Sequence, residues 1–175
     1  DQLIKDCDGL ETQHQALMGS EYRYAIREDL EQLDGGISQA REAAAKRDHD
    51  AAEAHLKTAQ ARAVDATAKD KMAGNEAPEP ENIKAILERP GGDKQLDEMI
   101  KGLDASVQRK VLRVAFEAKY GCKLNIYTDA SGKPSDRHAA GNIQADGAKK
   151  GPNIRRLYEV MSVLPAKDTR DNDSM

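Results

Sequence analysis

Aromatic side chains are scarce in this chain of 175 residues: five Tyr, one Phe (Phe116) and no Trp. Base-stacking platforms need such rings, so a single-stranded nucleic-acid surface is disfavoured. The net charge of −4 removes a whole-chain basic footprint as well. Cysteine is equally sparse. Cys7 and Cys122 lie far apart and form no CxxC pair, which excludes a disulfide scaffold and a zinc ribbon and leaves two buried or half-buried thiols as the expectation. Long apolar runs are missing too: mean hydropathy is −0.79, and no stretch approaches the roughly 18 apolar residues of a membrane span. No basic stretch followed by an apolar one opens the chain, so no signal peptide is expected. Because the first residue is Asp1 rather than Met, the chain is expected to be a fragment or a processed piece.

What is present is charge, at 33% of residues, and helical periodicity. Leu3, Leu10 and Leu17 recur every seven positions, with Gly19-Ser20 as a bend or a break after them. Tyr22, Ile26, Leu30 and Leu33 then share one face of a helix that Asp34-Gly35-Gly36 is expected to end. A second run covers Ile37 to about Lys46, and Asp50 with Glu53 has the form of a capping box. Ala52, Leu56, Ala59 and Ala63 follow as a stripe. Alanine lets helix axes approach closely but buries little area, at about 25 cal/mol per Å². A hairpin built this way needs a neighbouring helix, another copy or a partner protein.

The stretch 74–81, with two prolines and no apolar period, reads as a linker between a helical 1–73 and a helical domain over 82–175. In the latter, Ile83, Ile86 and Leu87 mark a short helix, and Asp93 is placed to cap one that buries Leu96, Met99, Ile100 and Leu103. Val107, Val111, Leu112, Ala115 and Phe116 define a third helix closed by Gly121. Cys122–Tyr127 alternates like a strand, and 129–151 is a long polar loop. Pro152 opens a last helix with Ile154, Leu157, Val160, Met161 and Leu164 on its buried side. The fold class is therefore mainly α: an alanine-rich hairpin or bundle followed by a small helical domain with at most one or two short strands.

Candidate chemistry is thin. His14, His49, His55 and His138 lack metal-ligand spacing, and no HExxH is present, so neither a metal nor a cofactor is expected. Asp129–Pro134 contains Gly-Lys but lacks the first glycine of a phosphate loop and has Pro134 where Ser or Thr belongs. An enzyme reading, a small hydrolase or transferase working from the 122–156 region, would draw on His138, Asp136 and Arg155. Charge asymmetry says more. Residues 101–160 hold twelve basic side chains against six acidic ones, and Arg109, Lys110 and Arg113 cluster on the third helix of that half. These three are the candidate partner-binding residues, facing an acidic protein or a phosphate-bearing ligand.

Two segments resemble a known group. Ile37–Arg41, Asp48–Ala52 and Leu56–Ala63 are similar to helical-hairpin units of large bacterial polymorphic toxins, including type VI secretion effectors. Arg156–Val160, Leu164-Pro165 and Asp168–Asn172 are similar to a segment that precedes the toxin domain in some of them. The resemblance implies a non-catalytic spacer, adaptor-binding or regulatory module of a secreted effector. It would be made in the bacterial cytoplasm and exported into a target cell, with an adaptor, chaperone or immunity protein as its partner. In such relatives the following domain can be a zinc metallopeptidase. Since this chain has no HExxH, the resemblance places any such catalysis beyond Met175.

Overall fold

The computed structural model describes residues 2–121 and 154–163, and among them every regular element is helical. The chain divides into two units, Asp1–Pro78 and Glu79–Met175.

Three helices build the first unit: α1 (Gln2–Met18), α2 (Arg27–Ala45) and α3 (His49–Ala73). The heptad leucines of α1 face inward, and Leu3, Cys7 and Leu10 pack against Leu33, Ile37 and Ala40 of α2 and Leu56, Ala59 and Ala63 of α3. A smaller cluster of Leu17, Ile26, Leu30 and Ala66 continues the core. Of the three ways to cover an alanine stripe, the chain uses its own neighbouring helix. Burial pushes the Cys7 thiol above its ordinary pKa, so it packs as a small neutral hydrophobe.

Gly35 and Gly36 do not end a helix as expected; α2 runs through both to Ala45. The reason is steric. Gly36 is buried on α3, where a Cβ would lie 3.0 Å from the Ala59 Cβ, so its missing side chain lets the two helices approach. The stop comes later, at Arg47 (φ 61°). There Asp48 N–H donates to Ala43 O (3.0 Å) and Arg47 N–H to Ala44 O (3.0 Å), the paired bonds of a Schellman turn. The cap of α3 is also two residues earlier than the Asp50–Glu53 pattern indicated: Asp48 accepts from Ala51 N–H at 3.1 Å. Asn75 (φ 60°) closes α3 in the same manner as Arg47 closes α2, with Glu76 N–H on Lys71 O (2.8 Å).

Two carboxylates are buried between α2 and α3, Asp29 at 4% and Asp65 at 2% exposure. Lys69 donates to Asp29 at 2.7 Å, and Arg62 stands 3.9 Å from Asp29 and 3.8 Å from Asp65. A hairpin slipped out of register would strip Lys69 and Arg62 from buried Asp29, so these contacts oppose slippage.

The second unit contains α4 (Pro80–Leu87), α5 (Gly92–Ile100), α6 (Ala105–Tyr120) and α7 (Ile154–Ser162). Its core gathers Ile83, Ile86, Leu96, Ile100, Val107, Val111, Leu112, Ala115 and Phe116, together with Tyr120, Tyr158 and Met161. Gly92 sits so tightly on α4 that a Cβ would fall 2.1 Å from the Ile86 carbonyl oxygen. Gly121 closes α6 at φ 72°, as its position implied. On α7 the inward residues are Tyr158 and Met161, whereas Val160, placed on the buried side by its spacing, is 57% exposed. The strand assigned to Cys122–Tyr127 and the loop 129–151 lie outside the described residues.

Candidate functional site

A groove of about 390 Å³ runs along the seam between α1 and α2. Its position follows from how the chain turns between those helices. Gly19 ends α1 by donating to Ala16 O at 3.1 Å, and Ser20 Oγ accepts from Tyr22 N–H at 3.0 Å while hydrogen-bonding Asp70 of α3. Residues 19–26 are thereby held in turns. Tyr22, expected on the buried face of a helix, is instead exposed, and its ring reaches the Cα side of Gly74 at the end of α3. Ile26 alone of that turn drops into the core.

The same turn throws Tyr24 outward, 77% exposed, beside Met18, which is 45% exposed at the last position of α1. With buried Leu30 they supply the apolar surface of the groove. Arg23 lies over the Tyr24 ring, its guanidinium carbon 5.1 Å from the centroid. Arg27 pairs with Glu31 at 2.9 Å one turn along α2, and Asp34 and His14 complete the far end. The groove is thus apolar along its floor, basic at the Arg23–Arg27 end and acidic at the Glu31–Asp34 end.

The second unit holds a different constellation. Lys119 of α6 donates to both carboxylate oxygens of Asp93 at 2.8 Å, and the Tyr158 hydroxyl of α7 donates to Asp93 Oδ1 at 2.5 Å. Asp93 therefore does not cap α5; Gly91 stands at that position, and the carboxylate is turned to α6 and α7. Burial works to raise the Asp93 pKa and is outweighed by the bonds from Lys119 and Tyr158, leaving the carboxyl below its ordinary value. Burial, and next Asp93 itself, pushes the Tyr158 phenol far above its ordinary value. A phenol so held keeps its proton and does not serve as a base near neutral pH. An adjoining cleft of about 200 Å³ is lined by Asp93, Asp97, Leu112, Arg155 and Tyr158 among others. The bonds that fill this cluster run between α5, α6 and α7, which makes it a tie holding α7 in place.

Arg155 belongs to that tie. Its guanidinium donates to Asp97 Oδ1 at 3.1 Å and to Gln108 Oε1 at 3.0 Å. The other two candidates for an enzyme site, Asp136 and His138, lie outside the described residues. Arg109, Lys110 and Arg113 sit on α6, with Lys110 and Arg113 exposed and Arg109 half-buried. Arg109 contributes to keeping the Asp104 carboxyl low, after the side-chain and backbone bonds from Ser106. None of the three lines the cleft beside Tyr158. Among the described residues no three His, Cys, Asp or Glu side chains group to hold a metal ion.

No family model, curated protein or solved structure matches the chain.

The groove was not picked out by periodicity. Met18 and Tyr24 fall off the Leu3–Leu10–Leu17 heptad, and that was the available signal: large apolar residues out of phase with the core beside a Gly-Ser break. Charge counting over 101–160 pointed to the other unit, because it weighs sign and ignores concavity.

Proposed function

We propose that this chain is a non-catalytic protein-interaction module and that the α1–α2 groove is its docking surface. The observation that supports the reading is Tyr24, an amphipathic ring standing free of the core next to exposed Met18, over a groove whose size falls in the roughly 300–1,000 Å³ range of built binding sites. Tyr and Met are enriched where proteins bind one another, since each offers a large apolar contact that tolerates water when unbound. The alanine stripe of α3 is not that surface, because α1 and α2 already cover it. The setting we propose is a larger secreted bacterial effector, on the strength of the resemblance to polymorphic-toxin spacers, with Arg109, Lys110 and Arg113 as a secondary contact for acidic groups.

The test is recovery of bound protein from cells that make a tagged form of the chain together with an untagged form. Wild type is compared with a Met18→Ser/Tyr24→Ser double variant and with Gln60→Glu, an exposed α3 position outside the groove. At least one protein, the untagged chain included, should be recovered with wild type and Gln60→Glu and lost with the double variant. Identical recovery with all three would overturn the groove as the docking surface.

A further inference from the structure

We infer that the occupant of the groove is a second copy of this chain, docked antiparallel across α2; this rests on the groove being the docking surface. The argument is charge complementarity. Arg27, Glu31 and Asp34 follow one another on the exposed side of α2 at helical spacing, and Arg23 precedes them in the turn. The basic end and the acidic end are therefore separated along one axis, about 10 Å from Arg27 to Asp34 at 1.5 Å per residue. A surface with opposite charges at its two ends and an apolar middle is complementary to itself after a half-turn. That is the requirement for an isologous two-fold contact.

Rotation about an axis near Leu30 sets Arg23 and Arg27 of each copy against Glu31 and Asp34 of the other. Exposed Met18 and the exposed Tyr24 ring of each copy then lie along the other copy's seam, with buried Leu30 as the floor beneath them. An acidic or a basic peptide lacks this match, since it would satisfy one end and repel the other. The Arg27–Glu31 pair within one chain is not an obstacle: both side chains are largely exposed, and such pairs are weakly held.

The experiment is sedimentation equilibrium on the full chain and on two charge variants. Arg23→Glu/Arg27→Glu makes both ends of the groove acidic; Glu31→Arg/Asp34→Arg makes both basic. Wild type should reach twice the 19.1 kDa of one chain as concentration rises, and each variant alone should associate about tenfold or more weakly. Mixing the two variants should restore a 1:1 pair, because acidic ends then face basic ones. Circular dichroism confirms that each variant is folded, and restoration on mixing shows it independently. Wild type that stays monomeric up to about 1 mM overturns the inference, as do variants that self-associate like wild type or a mixture that fails to pair. If wild type is monomeric while the Met18→Ser/Tyr24→Ser variant still loses another protein, the docking groove stands and only its occupant is wrong.

Discussion

Two adjacent glycines in α2 offer a controlled perturbation of the α2–α3 contact in the first unit. Gly35 and Gly36 occupy the same helix interior, so replacing either by alanine brings the same propensity gain, about 0.8–1 kcal/mol. Their surroundings differ. Nothing lies within 4 Å of a Cβ at Gly35, whereas one at Gly36 meets the Ala59 Cβ at 3.0 Å and its Cα at 3.4 Å. Carbon atoms prefer roughly 3.5–4.0 Å, and Ala59 has no rotamer by which to withdraw, so α2 and α3 must move apart. Overpacking of this kind costs about 1–3 kcal/mol. Gly35→Ala should therefore stabilise by up to about 1 kcal/mol, while Gly36→Ala should be neutral to destabilising by about 2 kcal/mol. The assay is hydrogen exchange of α2 and α3 peptides in the full chain, which reads the stability of that unit alone. Adding Ala59→Gly should relieve the contact in Gly36→Ala. Equal stabilisation by both alanines would refute the steric account.

Other consequences follow from caps, contacts and charge. Asp48→Ala should destabilise the first unit by about 1 kcal/mol through loss of the α3 cap, while Asp50→Ala changes stability by a few tenths, both measured by urea denaturation. Gly92→Ala should cost about 3 kcal/mol or more, because the new methyl strikes the Ile86 carbonyl on backbone that has nowhere to go; protease resistance of α4 and α5 reads it. The Asp93 carboxyl is held below its unfolded value of about 3.9, so its contribution is present above that pH and lost as pH falls through the lower folded value. Acid titration should loosen α7 below about pH 4, and Asp93→Asn should remove that step. Tyr158, raised by burial and by Asp93, should ionise above the ordinary phenol range in an ultraviolet titration, and Tyr158→Phe should remove that late component.

The helices were legible where apolar residues repeat in phase and where sterics are local. Leu3–Leu10–Leu17 gave α1, Val107 to Phe116 gave α6, and Gly121 marked a left-handed stop. Misreadings arose where one residue type serves two purposes. Gly36 has the form of a terminator and acts as a spacer against Ala59, a distinction that depends on a residue in another helix. Asp93 has the form of a cap and is drawn away by Lys119 and Tyr158, both distant in sequence. On α7 Val160 is exposed and Tyr158 buried, because the Tyr158 hydroxyl finds Asp93, which makes burying a polar-tipped ring favourable. The groove has no signature in the apolar spacing because its concavity arises from the angle of the 19–26 turn, which Ser20 fixes through Asp70 of α3. No window along the chain contains that contact.

The most direct test of the groove as working surface is a photo-cross-linking residue placed at position 24, with position 60 as control, since Gln60 is also exposed but lies outside the groove on α3. Irradiation of cells making the chain should give a strong adduct at position 24, at twice the chain's mass, and little at position 60. Equal yields at the two positions, or none at position 24, would contradict the account.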